Sequence, residues 1–141
     1  FSETFRRQVE SAAGVSGVEY QEAMFARSQL FKRVQALFER ADLLAMPTLT
    51  RSAVALEQDL FAPLDIDGRP YENVRAHWYP WTMPFNMTGH PAISLPSGFG
   101  GDGMPLGLQL VGRFQDDAAL LGASAAFEAA TGFAARRPEL A

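Results

Sequence analysis

Apolar residues recur along positions 20–41 at spacings of three and four: Tyr20, Ala23, Met24, Leu30, Phe31, Val34, Leu37, Phe38 and Ala41 share one stripe. Gln21, Glu22, Arg33 and Glu39 take the other face, so the spacing predicts a long amphipathic helix. Arg27 falls inside the apolar stripe, either as a stem with a snorkelling or paired head or as an inward guanidinium bracing a cleft. Positions 1–12 predict a shorter polar helix with Ser2 as N-cap and Phe5 and Val9 on one face, interrupted by Gly14 and Gly17. A short buried strand follows at 42–46, stopped by Pro47, and two further strands are expected at 92–95 and 106–111. Asp116 is placed to cap a helix running to Thr131, with Leu120, Leu121, Ser124 and Phe127 inward and Gly132 supplying the C-terminal turn. The tail 133–141 is expected to be loosely held. Helix running directly into strand points to an α/β arrangement in one domain.

Between 49 and 81 the pattern breaks at Pro63, Gly68, Pro70 and Pro80, and only 54–61 is expected to hold a short helix. Tyr71, His77, Trp78, Tyr79 and Trp81 gather aromatic area at the end of this stretch, as a binding wall if exposed or a satellite core if buried. The segment 82–113 is denser in turn formers. Gly89 is expected to supply a positive φ after the Asn86 turn, ahead of Pro91. Pro96 is expected to end the first strand, because it cannot donate to a ladder. Gly107 suits a close backbone approach, and Gln109 is either a buried, bonded amide or a polar group at a strand end. The run 97–103 is glycine-rich but lacks the G-K-[ST] ending of a phosphate loop, so it reads as a solvent turn.

Composition removes several chemistries. The 141 residues carry a net charge of -4, against the basic face of a nucleic-acid-binding domain. Cysteine is absent, which excludes disulfides, thiolate ligands and a thiol nucleophile. No apolar run approaches the roughly 18 residues of a membrane span, and no basic-then-apolar leader is seen. His77 and His90 have no metal-ligand spacing, so no metal or other cofactor is expected. A triad of His90 with Ser94 or Ser97 lacks a nucleophile elbow, and Lys32, the only lysine, sits beside Arg33 on the long helix. Glu57, Asp59, Asp65 and Asp67 read as solvated turn charges.

The order N-x-T-G-x-P-A-I-S-x-P-x-G from Asn86, then P-x-G-L-Q-L-V-G from Pro105, resembles the C-terminal part of the amidase signature family. A-x-x-x-R at Ala23 to Arg27 and D-x-L-x-x-P-T from Asp42 to Thr48 extend the resemblance over essentially the whole chain. It implies an α/β fragment of that fold, with short strands of a mixed sheet flanked by a long amphipathic helix and a C-terminal helix. Asn86, Gly89, Pro91, Pro96, Gly107 and Gln109 then carry the structural motif, and Tyr79, Trp81, Thr82 and Phe85 form one wall of the substrate pocket. The family's Ser–cis-Ser–Lys set lies in a portion preceding this one and has no counterpart here. The resemblance therefore implies a carboxamide hydrolase, cytoplasmic, whose present part is inactive without its catalytic N-terminal portion. In amidotransferase subunits of the family, an acidic residue seven positions before the asparagine holds the glutamine amino group. Tyr79 stands there in this chain, costing a glutamine zwitterion about 1–3 kcal/mol of partner. That favours an amidase of apolar or aromatic amides over a glutamyl-tRNA(Gln) amidotransferase A-type subunit. The third reading is a non-catalytic binding or scaffold module. A sheet of this kind also leaves an apolar face and strand edges open, so a homo-oligomer through that face is expected.

Overall fold

The computed structural model describes residues 2–72 and 74–137. Phe1 and the end of the expected tail, 138–141, lie outside the described residues. Helix α1 (Glu3–Ser11) begins at Ser2, whose side chain accepts from the Phe5 N–H. Helix α2 (Gly17–Leu37) begins three residues before its apolar stripe, because Ser16 and Glu19 form a reciprocal capping box. Gly17 is thus the first helical residue and not an interruption. The helix ends at Leu37, short of the expected Ala41.

Three strands form the main sheet: β1 (Leu44–Pro47), β4 (Ala92–Phe99) and β5 (Pro105–Val111), in the order β1-β5-β4. Both pairings are antiparallel, so the described sheet is antiparallel where a mixed one was expected. β1 and β4 run parallel to each other but are separated by β5. The α/β class holds, and helices cover both faces. Val34 and Phe38 from the end of α2, with Phe85 and Val111, form one core cluster, against which Leu30, Leu44 and Met46 pack. On the opposite face Leu95 and Leu110 meet Leu120 of α5 (Asp117–Thr131), with Ile93, Leu108 and Phe127 around them. Full burial of each such side chain contributes about 1.5–3 kcal/mol. Asp116 caps α5 by accepting from the Ala119 N–H, and Gly132 ends it at φ 64°. Leu121, expected inward, is 60% exposed.

The stretch 49–81 is a small unit of its own. β2 (Leu64–Ile66) and β3 (Arg69–Tyr71) make a hairpin, followed by α3 (Val74–Trp78). No helix forms at 54–61, which is a run of turns. Leu64 and Val74 are fully buried, and Arg7 of α1 reaches this unit through Asp59 at 3.2 Å and the Phe61 ring at 4.1 Å. The expected Asn86–Gly89 turn is the last turn of a short helix, α4 (Met83–Thr88), with Gly89 at φ 72° returning its N–H to the Phe85 carbonyl. Pro96 does not end β4. It pairs with Gly107, and the strand continues through a bulge to Phe99, because β4 is an edge strand that tolerates a missing donor on its open side. Leu106 is 38% exposed near the start of β5. Residues 133–135 form a 3-10 helix whose Phe133 ring lies 3.6 Å from where a Cβ on Gly98 would sit.

Of the stripe on α2, only Val34 and Phe38, at its C-terminal end, are buried. Tyr20 and Leu37 are more than half exposed, and no described element covers Val18, Tyr20 or Phe25. Packing at the sheet's centre is tighter. A Cβ on Gly107 would lie 2.8 Å from both the Thr48 and Ser94 hydroxyl oxygens, which are 2.6 Å from each other across it. Gly107→Ala is expected to separate that hydroxyl pair and cost about 1–3 kcal/mol of stability. Urea denaturation reads this, and an unchanged midpoint would contradict the close approach.

Candidate functional site

An open trough of about 690 Å³ runs past Met46, Leu108, Gly107 and Trp81 to the loop after β1, at Thr50, Arg51 and Ser52. Its aromatic side depends on hydrogen bonds from far along the chain. Gln109, 3% exposed on β5, donates its amide to the Trp81 carbonyl at 2.9 Å. Of the two roles open to this residue in the sequence, it takes that of a buried, bonded amide. Thr50 donates its hydroxyl to the His77 carbonyl at 2.6 Å and its N–H to Trp78 at 2.9 Å. The Thr82 hydroxyl donates to the Tyr79 carbonyl at 3.0 Å and closes the turn ahead of α4. These bonds hold 77–82 against the sheet, so Trp81 stands half-exposed over the trough.

The four expected wall residues divide. Trp81 lines the trough, while Tyr79 and Thr82 form the turn that carries it. Phe85 does not share that surface: it is 8% exposed and packs between α2 and β5 with Val34 and Val111. Phe85 lies within α4, on the side that meets α2, whereas Trp81 lies in the turn before that helix. The structural motif residues hold this frame. Pro91 accepts the Gly112 N–H at 2.9 Å, and Asn86 donates its N–H back to Thr82 at 3.3 Å. The Thr48–Ser94 hydroxyl pair was not anticipated. Its only sequence signal is that both residues belong to the turn-and-strand motifs.

The groups with nucleophilic or basic potential are otherwise engaged. His90 is buried between the Phe31, Phe38 and Phe114 rings, stacked on Phe38 at 5.4 Å. Its Nε2–H donates to Gln35 Oε1 at 3.0 Å, and Nδ1 accepts from the Thr88 hydroxyl at 2.9 Å. Neither nitrogen meets Ser94 or Ser97, so no triad forms. Burial holds the imidazole pKa below its ordinary value, which keeps the ring neutral. Arg27 donates to the Met87 carbonyl, bracing the end of α4 beside a second cavity of about 360 Å³ that Lys32 also lines. Asp59 accepts from the Phe61 N–H and pairs with Arg7, and Asp65 accepts from the Gly68 N–H at 2.9 Å, as turn charges do. Among the described residues no group of three potential metal ligands assembles, and no helix is long and apolar enough to cross a membrane.

A family model described as Amidase matches residues 1–121. The chain is 39% identical over 129 residues to the A-type subunit of glutamyl-tRNA(Gln) amidotransferase from Moorella thermoacetica, covering 92% of this chain and 24% of that protein. It is 39% identical over 102 residues to 6-aminohexanoate-cyclic-dimer hydrolase of Paenarthrobacter ureafaciens, covering 70% and 21%. The crystal structure of a bacterial aryl acylamidase of the amidase signature enzymes superposes with a TM-score of 0.77 at 29% identity, over 99% of this chain and 29% of that one. The chain thus spans about a quarter of the length of the curated relatives it matches.

The neutral His90 makes stability depend on pH with a definite sign. The unfolded imidazole titrates near 6.5 and the folded one lower, so between those values the unfolded chain binds more protons. Stability is therefore full above pH 6.5 and falls as the pH drops below it. Carboxylates titrate lower, so the denaturation midpoint measured from pH 7.5 to 5.5 reports the two histidines, and comparison with a His90 variant separates this one. His90→Gln is expected to flatten the pH slope; identical slopes in both proteins would rule out the neutral histidine as its source.

Proposed function

Because the chain belongs to the amidase signature family, we propose that it is the C-terminal part of a carboxamide hydrolase, supplying sheet core and one wall of the substrate pocket. In the reaction the C–N bond of the amide breaks, water provides the new C–O bond, and the departing amine takes a proton. The attacking serine, its relaying serine and the lysine base belong to a portion of the parent protein outside these residues, and the present part is inactive without them. The observation that carries this reading is the trough itself. It is largely apolar, Trp81 overhangs it through the Gln109 bond, and among the described residues no lysine or histidine lines it. Such a surface can bind and orient an amide but has no base to activate a nucleophile. An amide with an apolar or aromatic body suits these walls.

Val18 and Phe25, exposed on one side of α2, are where the remaining portion of the parent protein packs. Without it, the open side of the sheet, with its edge strands β1 and β4, drives self-association of the isolated chain. The setting is the cytoplasm. A second reading, an amidotransferase A-type subunit, is supported by the match to the Moorella protein over 92% of this chain. Glutamate release from glutamine distinguishes it from hydrolysis of aryl amides.

The parent protein is expected to release 4-nitroaniline from acyl anilides, and residues 1–141 alone to release none. Trp81→Ala in the parent protein should raise KM about tenfold through lost apolar contact, with kcat little changed. Turnover by the isolated chain, removed by changing one of its own serines, would overturn the division of labour proposed here.

A further inference from the structure

We infer that Arg51 is a specificity-determining residue that holds the carboxylate of an amide substrate whose body is apolar. The inference rests on the amide-hydrolase reading and names the substrate class of the same trough. Among the described residues Arg51 is the one charged side chain lining it; Met46, Leu49, Leu108 and Trp81 offer hydrocarbon and an aromatic ring. A ligand complementary to this surface is apolar along its length and anionic at one end.

The head of Arg51 is already positioned. Its Nη1 donates to the Asp65 carbonyl of β2 at 2.8 Å, which leaves further guanidinium N–H groups for a ligand and reduces the side-chain freedom lost on binding. The carboxylates around it take their hydrogen bonds from other groups. Asp65 Oδ1 accepts from the Gly68 N–H, and Asp102 accepts from the Ser52 hydroxyl and the Met104 N–H. These bonds, the Ser52 hydroxyl first, with a smaller contribution from the nearby Arg51 charge, hold the Asp102 carboxyl below its ordinary pKa, so it stays ionised and hydrogen-bonded in place. None of the ion pairs among the described residues involves Arg51. Ser97, half-buried in the same trough, offers a second donor. Asp65, Asp67 and Asp102 line a cleft that Arg51 also borders; their field opposes any anion there, and a dianion about twice as strongly as a single carboxylate. A single carboxylate with a planar fork to match the guanidinium is therefore preferred to a phosphate.

The test uses the full-length parent protein and two 4-nitroanilides, of glutaric acid and of butyric acid, which differ by a terminal carboxylate. Arg51→Gln is expected to raise KM for the glutaryl anilide about fivefold, the range of an exposed ion pair, and to leave the butyryl anilide unchanged. Arg51→Lys, which keeps charge without the fork, should fall between. Equal effects on both anilides, or none on either, overturn the assignment. If the unsubstituted protein cleaves neither anilide, it is the hydrolase reading that fails. Calorimetric binding of 4-phenylbutyrate then tests Arg51 by itself: binding weakened by salt and by Arg51→Gln supports the site, and binding indifferent to both overturns it.

Discussion

Strand β5 is hydrogen-bonded on both sides, and most of the described architecture is referred to it. It pairs with β1 from Leu44 to Pro47 and with β4 from Ala92 to Phe99. Its side chains alternate between layers, Val111 toward α2 and α4, Leu110 toward α5, as the two-residue period of a strand requires. Gln109 and Gly107 interrupt that apolar alternation for separate reasons. The first carries a hydrogen bond to the segment bearing Trp81, and the second lets two hydroxyls meet over the backbone. A one-residue slip of β5 would exchange both cores and break both contacts.

The helix ends are secured by residues distant in sequence. Arg113, just past β5, donates to the Phe38 carbonyl at 2.7 Å and to Asp42 at 3.0 Å, placing positive charge where α2 ends. Arg27 does the same for α4 through Met87, and Gly89 completes that end with a left-handed residue. Together they orient α4 so that Phe85 enters the core while the turn before it projects Trp81 outward. The aromatic wall is thus a by-product of how two helices are terminated against one sheet.

Residues that resemble catalytic parts serve structure in this chain. His90 is held neutral in an aromatic box, Ser94 is bonded to Thr48, and Lys32 rides on the outside of α2. What remains accessible is shape: an apolar trough with one cation and a projecting indole. That fits a portion covering about a quarter of its relatives' length.

The parts legible in the sequence are those whose cause is local. Ser2 and Asp116 cap helices through bonds spanning three residues, and Gly89 and Gly132 take the left-handed conformation that only glycine adopts cheaply. The capping box of Ser16 and Glu19 is equally local, although Gly17 between them has the look of a helix breaker. Motif order alone sufficed to mark the family and the strands around Gly107. Tertiary packing decided the rest. Whether Pro96 ends a strand depends on its lying at a sheet edge, and whether Leu121 is buried depends on which side of α5 meets β4. The Thr48–Ser94 pair joins residues 46 positions apart, and Gln109 reaches 28 positions back to Trp81. Periodicity records that a face is apolar; only the arrangement of layers determines whether anything covers it.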